Sequence, residues 1–307
     1  MTASGQAIVC CVTQNWMPAA AVTLLSCARA GQVSDAALII CAHGATADDI
    51  AALNRFNAKH GLAIRLLPVE SVGEDRSDLS RFGIGALLRL ALDRHLGPCY
   101  ARVLYLDADV LAVQDLRPLL AAPLNGRTIG AVPDLGIVTH VRQKVAAHRS
   151  ELGLADDDLY FNSGVLLFDW PAALQRNAFD RVRAMLASRP RWRAPDQDAL
   201  NLSLKHEWQP LDYKWNVTGL LQEGTAVEPA IHHFTASEKP WMSRRFLWHR
   251  PFHAYYVASL AGTGWDAFAE PRNAYGLMRA TGEATRKLFH FKRRAAIAEA
   301  VAATRFE

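Results

Sequence analysis

The sequence lacks several features that would assign it to a specialised class of protein. Its five cysteines are scattered, odd in number and without Cys-x-x-Cys spacing, which argues against a disulfide framework and against a structural zinc site. No apolar run of about 20 residues is present, and Met1 to Gln6 carries no basic residue, so neither a transmembrane span nor a signal peptide is predicted. We therefore expect a cytoplasmic protein.

Charge is also not strongly biased toward one sign. The 34 basic and 30 acidic residues give a net charge of +4, which does not predict binding to nucleic acid. Half of the 307 residues are apolar, enough for a large core in one domain or in one domain with an appendage. Basic residues do crowd the last segment, at Arg286, Lys287, Lys292, Arg293 and Arg294. This segment fits either a solvated amphipathic helix or a peripheral anchor on anionic lipid. The oligomeric state is not predicted.

Short apolar runs alternate with helix-like segments over the first 135 residues. Strands are predicted at 7–12, 37–42, 62–69 and 102–106, and helices at 18–30, 47–60 and 80–96. This alternation predicts a mainly parallel sheet with helices on both faces. Further on, the pattern predicts an apolar run at 164–168, helices at 171–188 and 197–205, and a loop-rich stretch at 210–236. Ligands of such sheets bind at the carboxyl ends of the strands.

An Asp-x-Asp pair directly follows one of these strands. Asp107 and Asp109 come immediately after the apolar run 102–106. Two carboxylates at this spacing can reach one divalent cation, which would bridge a nucleotide diphosphate and neutralise the departing group. The other two such pairs are Asp156/Asp158 and Asp196/Asp198. Because a bare Asp-x-Asp is a weak signal, the position after an apolar strand is what distinguishes the first pair.

The string RVLYLDADVLAVQDLRPLL around this pair resembles the central signature of family 8 retaining glycosyltransferases. LSRFGIGALLRLAL precedes it, and YFNSGVLLFD, DQDALN and HHFTASEKPW follow in the family's order, so the resemblance covers about residues 7–245. It implies an α/β fold with a single GT-A (Rossmann-like) domain, which we place at 1–250. The remaining residues, 251–307, are predicted to form a helical segment, for which association with membrane or acceptor is one alternative. The resemblance also implies retaining transfer of galactose or glucose from a UDP-sugar donor to an oligosaccharide or glycolipid acceptor.

In the resembled family, two aspartates and a downstream histidine hold Mn²⁺, with Mg²⁺ as the alternative, together with the donor diphosphate. The resemblance places these ligands at Asp107, Asp109 and His233. His233 is preferred to His232 because it lies six residues before Lys239, which is the family's spacing. Mn²⁺ suits this set since it accepts a nitrogen ligand beside hard oxygens. Lys239 is implied to offset the charge on the leaving UDP.

The resemblance also implies a set of groups around the transferred sugar. Arg89 is expected to orient the aspartates and contact the sugar, and Asp134 and Asp196 to bind its hydroxyls. Gln197 is expected near the anomeric carbon; since an amide is a poor nucleophile, a same-face (SNi-like) mechanism is favoured over a covalent route through Asp196. Further donor contacts are expected at Thr13, Asn15, Trp16, Ala108, Asn162, Ser163, Gly164 and Ala236.

Two of these positions depart from the family's pattern. Thr13 stands where an acidic residue usually contacts the uridine, and Ala236 stands where glycine is frequent beside the phosphates. Two other functions stay open at this point. One is a nucleotide-sugar-binding protein with weak or no catalysis. The other is a metal-dependent phosphohydrolase, for which an acidic pair after a strand is also a suitable metal site.

Overall fold

The computed structural model describes residues 5–33, 35–69, 84–138, 143–155, 157–189, 192–219, 221, 226–235, 239–242 and 250–269. Over these residues the strands are β1 (Gly5–Thr13), β2 (Ala37–His43), β3 (Arg65–Pro68), β4 (Tyr100–Leu106), β5 (Val110–Ala112), β6 (Ile129–Pro133), β7 (Phe161–Asp169), β8 (Trp208–Pro210), β9 (Val217–Thr218) and β10 (Ile231–His233). The helices are α1 (Met17–Arg29), α2 (Ala47–His60), α3 (Ile84–Leu88), α4 (Leu92–His95), α5 (Arg117–Leu120), α6 (Leu135–Val138), α7 (Gln143–Leu152), α8 (Trp170–Gln175), α9 (Ala178–Ala187), α10 (Pro195–Ser203) and α11 (Arg250–Leu260). Single 3-10 turns occupy Gln14–Trp16, Arg89–Ala91, Tyr213–Asn216 and Asp266–Ala269.

A seven-stranded sheet in the order β3-β2-β1-β4-β7-β6-β8 lies at the centre of the described part. The strands β3, β2, β1 and β4 are parallel to one another, β8 is parallel to β6, and β7 is antiparallel to both β4 and β6. The predicted mainly parallel sheet is therefore confirmed, with β7 as the reversed strand. Because β1, β4 and β6 run in the same direction, their carboxyl ends share one edge of the sheet, and β7 begins at that edge.

Helices cover both faces of this sheet because its central strands are apolar on both sides. In β1, Ile8 and Cys10 face one core, which they share with α1 and α2. Val9 and Cys11 face the other core, to which α8, α9 and α10 contribute. The strand ends are thereby held rigidly between two packed layers.

A smaller sheet, in the order β5-β10-β9, continues from the carboxyl end of β4. β10 is antiparallel to β5, with His233 opposite Val110, and parallel to β9. The stretch 210–236, predicted to be loop-rich, therefore contains two strands. Each has three residues or fewer, too short to show an alternating pattern in the sequence.

Two helices predicted to be continuous are interrupted. In the segment 80–96, of which 80–83 lie outside the described residues, α3 and α4 flank a 3-10 turn that directs Arg89 into the protein interior. The segment 171–188 is divided between α8 and α9 at Asn177, whose φ of 50° is left-handed. Asparagine adopts this conformation more readily than most residues, which allows the break at this position.

The strand predicted at 62–69 begins later than expected, at the start of β3. Asn57, near the end of α2, donates to the carbonyl oxygen of Ile64 at 3.0 Å and accepts from its N–H at 3.1 Å. The backbone at Ile64 is therefore bonded to the end of the helix rather than to β2. The helix itself ends as predicted, at Gly61 with a left-handed φ of 66°.

The described end of the chain packs against α2. Lys59 donates to the carbonyl oxygens of Ala258 and Ala261, each at 2.7 Å, and Arg55 donates to that of Thr263 at 2.8 Å. These cations donate hydrogen bonds to carbonyl oxygens at the end of α11, and their positive charge interacts favourably with the helix dipole. The predicted boundary at 250 coincides with the start of α11 and stays a prediction, and the basic residues at 286–294 lie outside the described residues. Over the described residues, every helix is too short or too polar to cross a bilayer.

Candidate active site

Asp107 and Asp109 lie just past the carboxyl end of β4 and meet His233 from β10. Strand pairing sets this approach, since His233 lies opposite Val110 and the N–H of Phe234 donates to the backbone oxygen of Asp109 at 2.9 Å. Nε2 of His233 is 3.3 Å from Oδ1 of Asp109 and 3.7 Å from Oδ2 of Asp107. One ligand atom from each residue lies within 4.8 Å of the others. Two carboxylate oxygens and one imidazole nitrogen at this separation fit a divalent cation such as Mn²⁺.

Gly164 on β7 provides the space for this convergence. Its carbonyl oxygen accepts from the N–H of Asp107 at 2.8 Å. A Cβ atom at this position would overlap Cε1 of His233 and would lie 2.9 Å from Oδ2 of Asp107. The resemblance implies only that Gly164 contacts the donor, and such a contact would require a close approach to the backbone, which glycine permits. The structure places that approach against two of the three candidate metal ligands.

Arg89 is buried at the centre of the site. Its guanidinium pairs with Oδ1 of Asp107 at 2.9 Å, donates to the carbonyl oxygen of Ser163 at 2.8 Å and lies 3.4 Å from Oδ2 of Asp196. The ring of Tyr105 lies beneath it, with 4.7 Å from Cζ to the ring centroid. Burial acts to lower the pKa of Arg89, but the acidic groups around it, Asp107 first among them, together outweigh burial and the pKa is raised. Arg89 is therefore a fixed cation that orients Asp107.

Lys239 is a second cation in the site. Its ammonium group donates to Oδ2 of Asp109 at 2.7 Å and lies 5.9 Å from the ring centroid of Trp16. Trp16 in turn meets the edge of Trp241, which is buried and stacks on Phe268 rather than facing the site. Lys239 thus lies between the candidate metal ligand Asp109 and the turn after β1.

The charges around Asp109 explain its ionisation. Burial acts to raise the pKa of its carboxyl group, but His233 and then Lys239 outweigh burial and hold the pKa well below its ordinary value. Asp109 is therefore an anion over the physiological pH range.

Gln197 and Asp134 form a hydrogen-bonded pair at the same edge of the sheet. Oε1 of Gln197 accepts from the N–H of Ser163 at 3.0 Å, and Nε2 donates to Oδ2 of Asp134 at 3.2 Å. Nδ2 of Asn162 donates to the same carboxylate oxygen at 3.3 Å. Asp196, beside Gln197 at the start of α10, has a pKa raised by burial, with Arg89 opposing the shift. The predicted sugar-pocket residues of β6, β7 and α10 are thus brought together.

The remaining predicted residues lie around this centre. Thr13, Asn15 and Trp16 are at the end of β1 and in the turn that follows it, and Ala108 is buried between the two aspartates. Ala236 lies outside the described residues. His232 points away from the cluster and packs on Phe252, with 4.8 Å between ring centroids, as strand alternation from His233 requires.

Two residues at the site were not predicted. Tyr105 donates its hydroxyl to Oδ1 of Asp107 at 2.6 Å. It lies two residues before Asp107 at the end of a strand, so alternation in the sequence could have placed it on the same face. Asn216 lies with Oδ1 2.8 Å from Nδ1 of His233. It precedes a strand of two residues, and the sequence carries no signal for it.

Asp198, from the third Asp-x-Asp pair, anchors the helix that carries Asp196 and Gln197. It is fully buried, accepts from the hydroxyl of Tyr160 at 2.7 Å and from the N–H of Ala194 at 3.0 Å, and lies 2.9 Å from Nε2 of His148. The two aspartates of this pair therefore have different roles. Asp196 faces the site, whereas Asp198 faces the core on the other side of the helix start.

Replacing Asp198 with alanine is expected to lower the free energy of unfolding by about 3 kcal/mol, because it leaves several buried donors without an acceptor. Asp157→Ala, which removes an exposed carboxylate from a nearby loop, is the control and is expected to change the free energy by less than about 0.5 kcal/mol. Urea unfolding of both variants measures the difference. A loss below about 1 kcal/mol in Asp198→Ala would show that this carboxylate is not an anchor.

Comparisons with known proteins identify similar chains. General stress protein A of Bacillus subtilis (strain 168) is 26% identical over 287 residues, which covers 86% of this chain and 96% of that protein. Lipopolysaccharide 1,2-glucosyltransferase of Escherichia coli (strain K12) is 28% identical over 203 residues, covering 62% of this chain and 57% of that protein.

A solved structure shares the fold. The crystal structure of the galactosyltransferase LgtC, in complex with donor and acceptor sugar analogues, superposes with a TM-score of 0.70 at 22% identity, covering 83% of this chain and 96% of LgtC. The fold is thus the GT-A glycosyltransferase fold. The family model of glycosyl transferase family 8 matches residues 7–245. The chain therefore belongs to glycosyl transferase family 8 and is a glycosyltransferase that acts on saccharides.

Proposed function

We propose that the protein is a retaining hexosyltransferase that moves galactose or glucose from a UDP-sugar to a saccharide acceptor. The observation that carries the proposal is the convergence of Asp107, Asp109 and His233 within 4.8 Å, with a cation, Arg89 or Lys239, bonded to each aspartate. A galactosyltransferase and a glucosyltransferase among the similar proteins support a hexose donor.

The proposed metal is Mn²⁺, with Mg²⁺ as the alternative, held by Asp107, Asp109 and His233. A bound divalent cation would neutralise charge on the donor diphosphate and so assist departure of UDP. The nitrogen ligand favours Mn²⁺, because Mg²⁺ prefers oxygen ligands throughout. The cation and the diphosphate would together replace the contacts that the three side chains now make with one another.

Arg89 and Lys239 have different roles in this proposal. Arg89 orients Asp107 through an ion pair at 2.9 Å, and its guanidinium is held in place by a hydrogen bond to the carbonyl oxygen of Ser163. Lys239, bonded to Asp109 at 2.7 Å, is placed to contact the donor phosphates and offset the charge that develops on UDP. A fixed guanidinium suits positioning, and a flexible ammonium suits contact with a group that leaves.

The sugar is proposed to bind between Asp134, Asn162, Ser163, Asp196 and Gln197. Both ends of the Gln197 amide are hydrogen-bonded, to Ser163 and Asp134, which fixes its position but does not make it a nucleophile. We therefore propose a same-face mechanism. The acceptor hydroxyl attacks from the side on which UDP leaves, a donor phosphate oxygen takes its proton, and Gln197 stabilises positive charge on the sugar ring.

The acceptor is proposed to be an oligosaccharide or a glycolipid. A glycolipid would be reached at the cytoplasmic face of a membrane, where the basic residues at 286–294 could contact anionic lipid. The membrane contact is tested by sedimentation with vesicles that contain or lack anionic lipid. Binding that does not depend on lipid charge would remove this part of the proposal.

The donor is tested with a panel of UDP-sugars in the presence of Mn²⁺ or EDTA, without acceptor. We expect slow release of UDP from UDP-galactose or UDP-glucose, stimulated by Mn²⁺ and reduced at least about tenfold by EDTA. Release of inorganic phosphate instead of UDP would indicate a phosphohydrolase. Donor binding without any turnover, even with a mixture of saccharide acceptors, would indicate a binding protein.

A further inference from the structure

Asn216 connects a candidate metal ligand to the sugar pocket through hydrogen bonds whose direction can be deduced. It lies at the end of the 3-10 turn before β9, the strand that pairs with β10 beside His233. Its Oδ1 is 2.8 Å from Nδ1 of His233, and its Nδ2 is 2.9 Å from Oδ1 of Asn162. Asn216 is 3% exposed and His233 is 5% exposed, so water does not compete for these bonds.

The backbone of Gly164 and the carboxylate of Asp134 determine which atoms donate in the hydrogen bonds that run from Asn162 through Asn216 to His233. The N–H of Gly164 can only donate, and it lies 3.0 Å from Oδ1 of Asn162, so that atom is the amide oxygen. The other end of Asn162 faces a carboxylate oxygen of Asp134 at 3.3 Å, which accepts, so that end is the amide nitrogen. Both ends of Asn162 therefore lead to the same orientation of its amide.

The orientation of Asn216 follows from that of Asn162. Because Oδ1 of Asn162 is an acceptor, the Asn216 atom beside it is the NH₂ group, and the oxygen of Asn216 faces His233. An amide oxygen can only accept, so Nδ1 of His233 carries a proton. In the neutral ring, Nε2 then carries the lone pair, and Nε2 is the atom that faces Asp107 and Asp109.

We propose that Asn216 is a positioning residue that holds the proton of His233 on Nδ1 and so presents Nε2 to the divalent cation. The inference rests on the proposed function for its metal. A histidine that binds metal through one nitrogen needs the other nitrogen bonded to an acceptor, which fixes both the tautomer and the ring plane. Asn216 is the residue that supplies this acceptor.

Two substitutions separate this role from a general packing role. Asn216→Leu has similar volume but accepts no hydrogen bond, and we expect it to raise the dissociation constant for Mn²⁺ at least about tenfold. Asn216→Asp still accepts from Nδ1, although it loses the donation to Asn162 and adds a negative charge beside His233, so we expect its dissociation constant to rise by no more than about threefold. Mn²⁺ binding to the full chain is measured by titration calorimetry with UDP present, without any assay of activity.

Asn201→Leu is the matched control. Asn201 is equally buried at 4% exposure and bonds Phe161 and the backbone of Gln197, but it does not contact His233. We expect this variant to lose stability and to keep its affinity for Mn²⁺. Wild-type affinity in Asn216→Leu, or a loss in Asn216→Asp or Asn201→Leu as large as that in Asn216→Leu, would overturn the proposal.

A measurement on the wild-type chain covers the case in which Asn216→Leu does not fold. Imidazole ¹⁵N shifts of the metal-free protein, taken at a pH where the ring is neutral, report which nitrogen carries the proton. The signals of His233 are assigned by comparison with His233→Gln. We expect the Nδ1–H form, and an Nε2–H form would overturn the proposal. If the wild-type chain binds no Mn²⁺, the metal of the proposed function fails, while the tautomer result still decides the role of Asn216.

Discussion

Replacing Asp109 with alanine is expected to reduce Mn²⁺-stimulated cleavage of the UDP-sugar donor at least about 100-fold. The substitution removes one of the two carboxylates that face the proposed cation. It also removes the partner that holds the ammonium group of Lys239 at 2.7 Å. Neutralisation of the diphosphate and placement of Lys239 are therefore lost together. UDP release is measured over a titration of Mn²⁺, and circular dichroism checks that the variant is folded.

Asp158→Ala is the matched control for this variant. Asp158 is also the second residue of an Asp-x-Asp pair, and its carboxylate also pairs with a lysine, Lys205, at 2.6 Å. Its other described partner is the N–H of Ala155, which is not part of the site. We expect donor cleavage by this variant to stay within about twofold of the wild-type rate. Full cleavage by Asp109→Ala at the same Mn²⁺ concentration would refute the proposed metal site.

The part of the site that lies on the parallel strands could be predicted from the sequence. Apolar runs that alternate with helical segments predict parallel strands, and parallel strands end at a common edge. Thr13 and Asp107 each directly follow a predicted strand, 7–12 and 102–106, so one local pattern places both at this edge, whereas the strand before Asp134 was not predicted. The resemblance to family 8 supplied the candidate ligands, which the pattern alone does not determine.

The rest of the site depends on pairing between distant segments, which local patterns do not encode. His233 approaches Asp109 because β10 pairs with β5, and both strands have three residues. The family's motif pointed to His233 as a candidate ligand, but no local pattern predicts the strand that carries it. Asn216 is a single buried amide before a two-residue strand, and only its hydrogen bonds distinguish it from other polar residues of a loop.

The interruption at Arg89 illustrates the same limit. The sequence favours a continuous helix over 80–96, because its apolar residues follow the helical period. The structure has a 3-10 turn at Arg89, where the guanidinium reaches Asp107, Ser163 and Asp196. Helical propensity is a weak preference, which tertiary contacts of this strength can override. A break of this kind within a predicted helix is frequent at functional sites.

Replacing Gly164 with alanine is expected to weaken Mn²⁺ binding and donor cleavage at least about 100-fold, although no ligand is removed. The added Cβ would overlap the ring of His233 and would lie 2.9 Å from Oδ2 of Asp107. Gly164 is not in a left-handed conformation, so the backbone accepts alanine and the effect comes from the side chain alone. Because the overlap with His233 is the severe one, the ring of His233 must turn away from the aspartates to make room. This movement separates the atoms that the proposed cation requires.

The control for Gly164→Ala is Gly97→Ala, since no atom lies within 4 Å of a Cβ added at Gly97. We expect this control to bind Mn²⁺ and to cleave donor as the wild-type chain does. Titration calorimetry with Mn²⁺ and UDP, followed by UDP release, measures both effects on each variant. If Gly164→Ala binds Mn²⁺ with wild-type affinity, His233 can leave its place beside Gly164 without loss. The histidine would then not be a metal ligand, and the cation would have to be held by the two aspartates and the donor alone.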